Sequence, residues 1–269
     1  MCLSVLMAVW RGDNPGYLKE CFISLKEQSV QATEIIVVCD GVISEKLDEV
    51  LSEATIYLPI KRIQLPVNAG LAKALNLGLS QCNYELVARM DPDDICYPNR
   101  FEKQKLFMDA NPEVVASSSA VDEFSDQSTI VCKRLVPASH AEILDFAKLR
   151  SPLNHPAVIF RRSVIISVGG YPNFRKAQDL ALWSLLLSKG YILKNIQEPL
   201  VKMRAGDAIF DRRSFDHFKN ELEVIKFQYN INFINKHQYL KSITLRAIAR
   251  FAPLQVRKFI YKLSRSRMD

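Results

Sequence analysis

Apolar and polar positions alternate in blocks along the first half of the chain, with periods that separate strands from helices. "CLSVLMAV" (2–9) is nearly all apolar and reads as a buried strand. "PGYLKECFISLKEQS" (15–29) brings Leu18, Cys21, Phe22 and Leu25 to one face and reads as a helix. The same rhythm continues with a strand in "EIIVVCDG", a helix over roughly 44–54, a short strand in "KRIQLP" and a helix in "AGLAKALNLGLSQC". The last carries Leu71, Leu75, Gly78 and Leu79 along one side. "ELVARMD" is the next strand and "PNRFEKQKLFMDAN" the next helix. Alternation at this pitch implies βαβ units and a parallel sheet, whose ligands sit at the carboxyl ends of strands near the point where strand order reverses. Asp40 and Asp91 stand at two such ends.

After Pro112 the rhythm changes. "VVASSSAVDEF" and "TIVCKRLV" predict strands joined by a polar turn, "AEILDFAKL" a helix and "HPAVIFRRS" a strand. "QDLALWSLLLSKG" predicts a buried helix, and the chain from Ser214 onward reads as mostly helical. The expected fold class is α/β: a Rossmann-like, mostly parallel central sheet flanked by helices, with a C-terminal helical extension.

At 269 residues, 48% hydrophobic and 24% charged, the composition is that of a globular protein able to bury a sizeable core. The six cysteines form no C-x-x-C pair and no Cys/His cluster, which favours free thiols in a reducing compartment over disulfides or zinc. No basic n-region precedes an apolar h-region, so no signal peptide is expected, and no apolar run approaches the ~18 residues of a membrane span. The net charge of +7 is uneven. Nine Lys and Arg against one Asp lie from Lys236 to the end, leaving about −1 for residues 1–235. In that tail Val256, Phe259, Ile260 and Leu263 follow helical spacing, with Arg257, Lys258, Lys262 and Arg265 elsewhere on the wheel. This is the pattern of a basic amphipathic helix on an anionic membrane; packing on its own domain and binding nucleic acid are the other readings.

The chemistry centres on "ARMDPDDICYPNRFEKQ" (88–104), where an apolar strand ends in Asp91, Asp93 and Asp94. Clustered carboxylates at a strand end suit a hard divalent cation, Mg²⁺ or Mn²⁺. Taken alone, a helix cap from Asp93 or Asp94 explains the turn equally well. Asp40-Gly41 likewise reads first as a turn. Lys73 and Asn76 lie on the helix face opposite Leu71, Leu75 and Leu79.

The ordered set "SVLMAVWRGDNPGYLKECFISLKEQS", "EIIVVCDG", "NAGLAKALNLGL", "ARMDPDDICYPNRFEKQ", "QDLALW" and "MRAGDAIFDRR" resembles the inverting family 2 glycosyltransferases, which have the GT-A fold. It is similar to the branch that contains the amylovoran galactosyltransferase and many O-antigen and capsule enzymes. The likeness covers most of the chain up to about Arg213 and implies a transferase domain over 1–213, with 214–269 as a basic helical extension. Residues 1–111 would be the nucleotide-sugar half and 112–213 the acceptor half.

By this resemblance Asp93 binds the metal, and Asp91 helps with metal or donor ribose. Ala8, Val9, Trp10, Asp40 and Asn68 would contact the donor. Lys73 is either a diphosphate-side cation, standing in for an Arg that many relatives carry where this chain has Leu75, or a solvated surface residue. Arg89 would hold the carboxylates or the diphosphate. Asp179 is implied as the catalytic base, preceded by Gln178, a candidate acceptor or diphosphate contact that stands where relatives often have Glu. His155 is a candidate acceptor-site or metal-side residue, although a lone His before a strand is more often structural. Arg204, Arg212 and Arg213 are candidates to close over the diphosphate, with surface charge the simpler account.

The implied reaction moves a sugar from a nucleotide-sugar, a UDP-sugar, to a polyprenyl-diphosphate-linked saccharide, without nucleic acid. The implied place is the cytoplasmic face of the membrane. A sugar-1-phosphate nucleotidyltransferase would need a Gly-rich phosphate loop after the first strand, which "VWRGDNPGY" lacks. A non-catalytic basic binding module would have no need of Asp91, Asp93 and Asp179.

Overall fold

A computed structural model describes residues 2–125, 129–204 and 215–251. Strands β1 (Leu3–Val9), β2 (Glu34–Cys39), β3 (Ile60–Gln64) and β4 (Leu86–Met90) pair in parallel in the order β3-β2-β1-β4. Each crossover carries a helix: α1 (Pro15–Lys26), α2 (Glu45–Ala54) and α3 (Leu71–Gln81). The chain builds outward from β1 to β3 and then returns to the other side of β1 with β4. Strand order therefore reverses at β1, which opens a crevice at its carboxyl end.

Beyond β4 the sheet is mixed. β5 (Ile95–Cys96) precedes α4 (Arg100–Ala110), and β6 (Val114–Phe124) pairs antiparallel with β7 (Ile130–Arg134). After α5 (His140–Phe146), the stretch expected as one strand from His155 divides into a 3₁₀ turn (His155–Ala157), β8 (Ile159–Arg161) and α6 (Arg162–Ser167). β8 is short because it only bridges β4 and β6, antiparallel to both, and the Arg161 guanidinium turns away to the Met108 and Val114 carbonyls. α7 (Gln178–Ser188) is as expected.

β9 (Ile192–Arg204) has no counterpart among the predicted strands. Its Asn195, Gln197, Glu198 and Pro199 break any alternation, and register shifts interrupt its parallel pairing with β6. It also pairs antiparallel with β5, bringing the end of the chain's second half against the acidic turn.

The sheet divides the core into two layers. Leu3, Val5, Met7 and Val9 face α1, α2 and α4, while Leu6, Ile36 and Val38 face α3 and α7, including Leu75 and Trp183. Cys21, Cys39, Cys82 and Cys96 are buried free thiols.

α8 (Phe215–Asn230) and α9 (Lys236–Phe251) lie past the boundary drawn at 213/214, and they pack on the body. Val224 joins Leu180 and Ala181, and the buried Gln228 amide donates to Ala147 O (2.9 Å) and Ser184 Oγ (2.8 Å). Among the described residues no helix is long and apolar enough to cross a membrane. The basic stretch around Phe259 lies outside them.

Candidate active site

Parallel register sets Val9 beside Cys39 and Met7 beside Met90, so the residues that follow these strands converge at one end of the sheet. They wall a cleft of about 450 Å³. Ala8, Val9 and the half-exposed Trp10 form one side, Asp40 and Asn68 the next, and Asp91, Pro92 and Asp93 the third. Gly41 adopts φ +83°, and a Cβ there would fall 2.7 Å from Asn68 N, so only glycine lets the two loops meet. Asp40 accepts from the Ala69 (2.6 Å) and Gly70 (3.0 Å) amides, and Asn68 Nδ2 donates to the Asp40 carbonyl (3.3 Å). The turn reading of Asp40 is thus correct as local structure. A carboxylate has about four lone-pair sites, so the same side chain keeps acceptor capacity toward the cleft.

Asp91, Asp93 and Asp94 each present an oxygen within 4.8 Å of the others. Burial, then the charge of Asp91, raises the Asp93 carboxyl above its usual range. Burial, with both neighbouring carboxylates adding, raises Asp94 further. An all-oxygen set whose members repel one another fits a hard divalent cation. Asp94 is the buried member and accepts the Arg204 amide (2.8 Å), leaving Asp93 the exposed one.

Arg89 stands behind this turn and not in the cleft. It is 2% exposed and ion-paired to Asp91, and its Nε and Nη1 have no hydrogen-bond partner among the described residues. Arg204 is neither a surface charge nor aimed at the cleft. Its guanidinium stacks between Tyr17 (3.7 Å) and Phe124 (4.5 Å), bonds Glu20 (2.6 Å) and reaches the Asp93 carbonyl (3.2 Å). It pins the acidic turn from behind.

A second cluster flanks the first. Asp179 occupies the first turn of α7, and its carboxylate accepts from Ser151 Oγ (2.9 Å). It does not line the cleft. Gln178, before it, is buried, and Ala177 holds a left-handed conformation (φ 57°) that starts the helix. His155 is half-buried, with the Tyr171 and Trp183 rings edge-on to it, and desolvation, then the Arg89 cation, holds it well below its usual pKa. It is neutral, is hydrogen-bonded to the Tyr171 hydroxyl (3.1 Å) and does not line the cleft. Lys73 is exposed on α3 and away from the cleft lining, while Leu75 is wholly buried. Arg212 and Arg213 lie outside the described residues.

Two further residues belong to this region. Asp13 lines the cleft, accepts the Trp10 amide (2.8 Å) and has its pKa pushed up to about 6 by burial, with Asp93 and Asp91 adding to the rise. The only signal in the sequence was an acidic residue just past a strand end. Tyr171 is buried between the two clusters, and nothing in its local sequence marks it out.

The Glycosyl transferase family 2 model matches residues 4–166. The amylovoran biosynthesis glycosyltransferase AmsE of Erwinia amylovora is 38% identical, covering 97% of this chain and 98% of its own. An Escherichia coli protein described as UDP-Gal:alpha-D-GlcNAc-diphosphoundecaprenol beta-1,3-galactosyltransferase is 39% identical over 96% of this chain and 94% of its own. In structure, S. aureus TarS 1-349 in complex with UDP-GlcNAc matches with a TM-score of 0.71 at 17% identity, covering 96% of this chain and 78% of that one. At that identity the likeness speaks for the fold.

Proposed function

The chain belongs to glycosyl transferase family 2, and from that premise we propose that it moves a sugar from a UDP-sugar to a polyprenyl-diphosphate-linked saccharide, with inversion, during surface-polysaccharide assembly. The observation that carries the reading is the cleft where Trp10, Asp40 and Asn68 face Asp91 and Asp93 at the strand-order reversal. Trp10 offers an aromatic face and Asp40 an acceptor for the nucleotide base and ribose. Asp93, with Asp91, would hold Mg²⁺ or Mn²⁺. When bound, the ion neutralises charge on the departing diphosphate. Arg89 and Arg204 hold the carboxylates in place from the protein side.

Asp179 takes the proton of the acceptor hydroxyl as its oxygen bonds to the anomeric carbon. The bond from that carbon to the diphosphate breaks, and UDP leaves with the electron pair. Ser151 orients the Asp179 carboxylate through its hydrogen bond. The basic tail beyond α9 tethers the enzyme to the anionic surface that carries its lipid acceptor.

The test is UDP release by purified protein with Mn²⁺, a panel of UDP-sugars and α-GlcNAc on an alkyl diphosphate. One donor should give acceptor-dependent release of UDP together with a β-linked product. Release from none of them, or retention of donor configuration, overturns the reading.

A further inference from the structure

Tyr171 ties the two halves of the site together. Its main chain is clasped by one side chain of α3: the Tyr171 amide donates to Asn76 Oδ1 (2.7 Å), and Asn76 Nδ2 donates to the Tyr171 carbonyl (2.8 Å). The preceding residue must be glycine for this clasp to close. Gly170 sits at φ +75°, and a Cβ there would run into the Asn76 amide. The other end of Tyr171 is equally fixed. The side chain is 2% exposed and shares a hydrogen bond with His155 Nε2 (3.1 Å), whose ring packs in turn on Trp183 of α7.

The phenol lies within electrostatic reach of both reacting regions. Burial raises its pKa, the carboxylates of Asp179 and Asp91 push the same way, and Arg89 opposes them. It therefore stays protonated at neutral pH and adds no charge between two carboxylates. α3 also begins at the cleft, where Gly70 and Leu71 form part of the wall. One helix thus shapes the donor cleft at its start and grips Tyr171 at Asn76. The loop that Tyr171 anchors runs directly into the Gln178–Asp179 start of α7.

We propose that Tyr171, clasped by Asn76 and seated on His155, is a positioning residue that sets Asp179 relative to the donor cleft. Its role rests on the reading of Asp179 as the base, through which it acts. Neither Tyr171 nor Asn76 lines the cleft, so nucleotide binding does not depend on them directly.

The experiment compares Tyr171→Phe, Gly170→Ala and Asp179→Asn, each checked for wild-type melting. Calorimetric UDP affinity with Mn²⁺ is measured beside kcat and KM for the UDP-sugar that the panel identifies and for α-GlcNAc alkyl diphosphate. Misplacing a reacting group by about 1 Å costs on the order of 10²-fold, so kcat of the first two variants should fall roughly 10- to 100-fold. UDP affinity and donor KM should stay near wild type. Gly170→Ala keeps every polar group, so its loss of kcat reports displacement alone, and Tyr171→Phe decides the matter if Gly170→Ala fails to fold. Unchanged kcat in Tyr171→Phe overturns the positioning role, as does a parallel loss of UDP affinity, which would mean general structural damage. If Asp179→Asn is inactive while Tyr171→Phe is normal, the base stands and only the positioning role falls. If Asp179→Asn turns over normally, the base reading and the role built on it fall together.

Discussion

At the scale of single residues, function here depends on what surrounds each carboxylate. Asp94 is buried and spent on the Arg204 amide, whereas Asp93 is exposed at the cleft. Asp93→Asn should therefore abolish the gain in UDP affinity that Mn²⁺ supplies and leave metal-free binding unchanged, as calorimetry with and without the ion will report. A mutant that retains the full metal gain makes Asp93 only a cap. Asp13 adds a pH dependence. Burial pushes its pKa up to about 6, above the ordinary aspartate range, so in the folded protein it is protonated below about 6 and ionised above. The ionised form is the costly one, and the stability lost to it above pH ~6 returns as pH falls toward 4. Cation binding nearby favours the ionised form. The affinity for UDP with Mn²⁺ should then weaken between about pH 7 and 5, and Asp13→Asn should flatten part of that slope.

At the scale of elements, α3 is held by close approach. Gly78 lies flush on β1 and β2, where a Cβ would meet Val38 Cγ2 at 2.8 Å and crowd Leu6 Cδ1. Replacing a helical glycine by alanine gains about 1 kcal/mol of helix propensity. Overpacking a dense core costs roughly 1–3 kcal/mol, and both neighbours are wholly buried. Overpacking wins, so Gly78→Ala should lower stability by about 1 kcal/mol in urea titration. Because the start of α3 also frames the cleft through Gly70 and Leu71, UDP affinity should fall with it. A stabilised variant would show that the helix can lift off the sheet without strain.

At the scale of the whole molecule, the C-terminal region divides into two parts. α8 is part of the body through Val224 and Gln228, so truncation before α8 should unfold or aggregate the protein. Deletion from residue 253 removes five Lys and Arg and no described contact of the body. Each such cation near an anionic surface contributes roughly 1 kcal/mol, so the deletion should release the protein from anionic vesicles. Activity on a long-chain lipid acceptor should fall, while activity on a short soluble analogue survives. Equal losses on both acceptors would make the tail part of the fold, and unchanged vesicle binding would place the membrane contact elsewhere.

Local pattern by itself determined the βαβ half, the strand ends carrying Asp40 and Asp91, and the start of α7 at Gln178. Those features depend on residues two to four apart, where pleat and helical turn dictate direction. Tertiary structure alone decided the rest. β9 is polar enough to hide its period and exists as a strand because β6 and β5 supply its partners. Arg89, Arg204 and His155 read as possible ligand contacts because a cation or imidazole in sequence carries no sign of which way it points. Arg204 finds the acidic turn 110 residues away, and Asn76 finds Tyr171 across 95. Such contacts form only after the sheet brings distant loops to one edge. Burial then settles which charged groups face the cleft and which brace it from behind, because desolvation penalises each charge that lacks a partner.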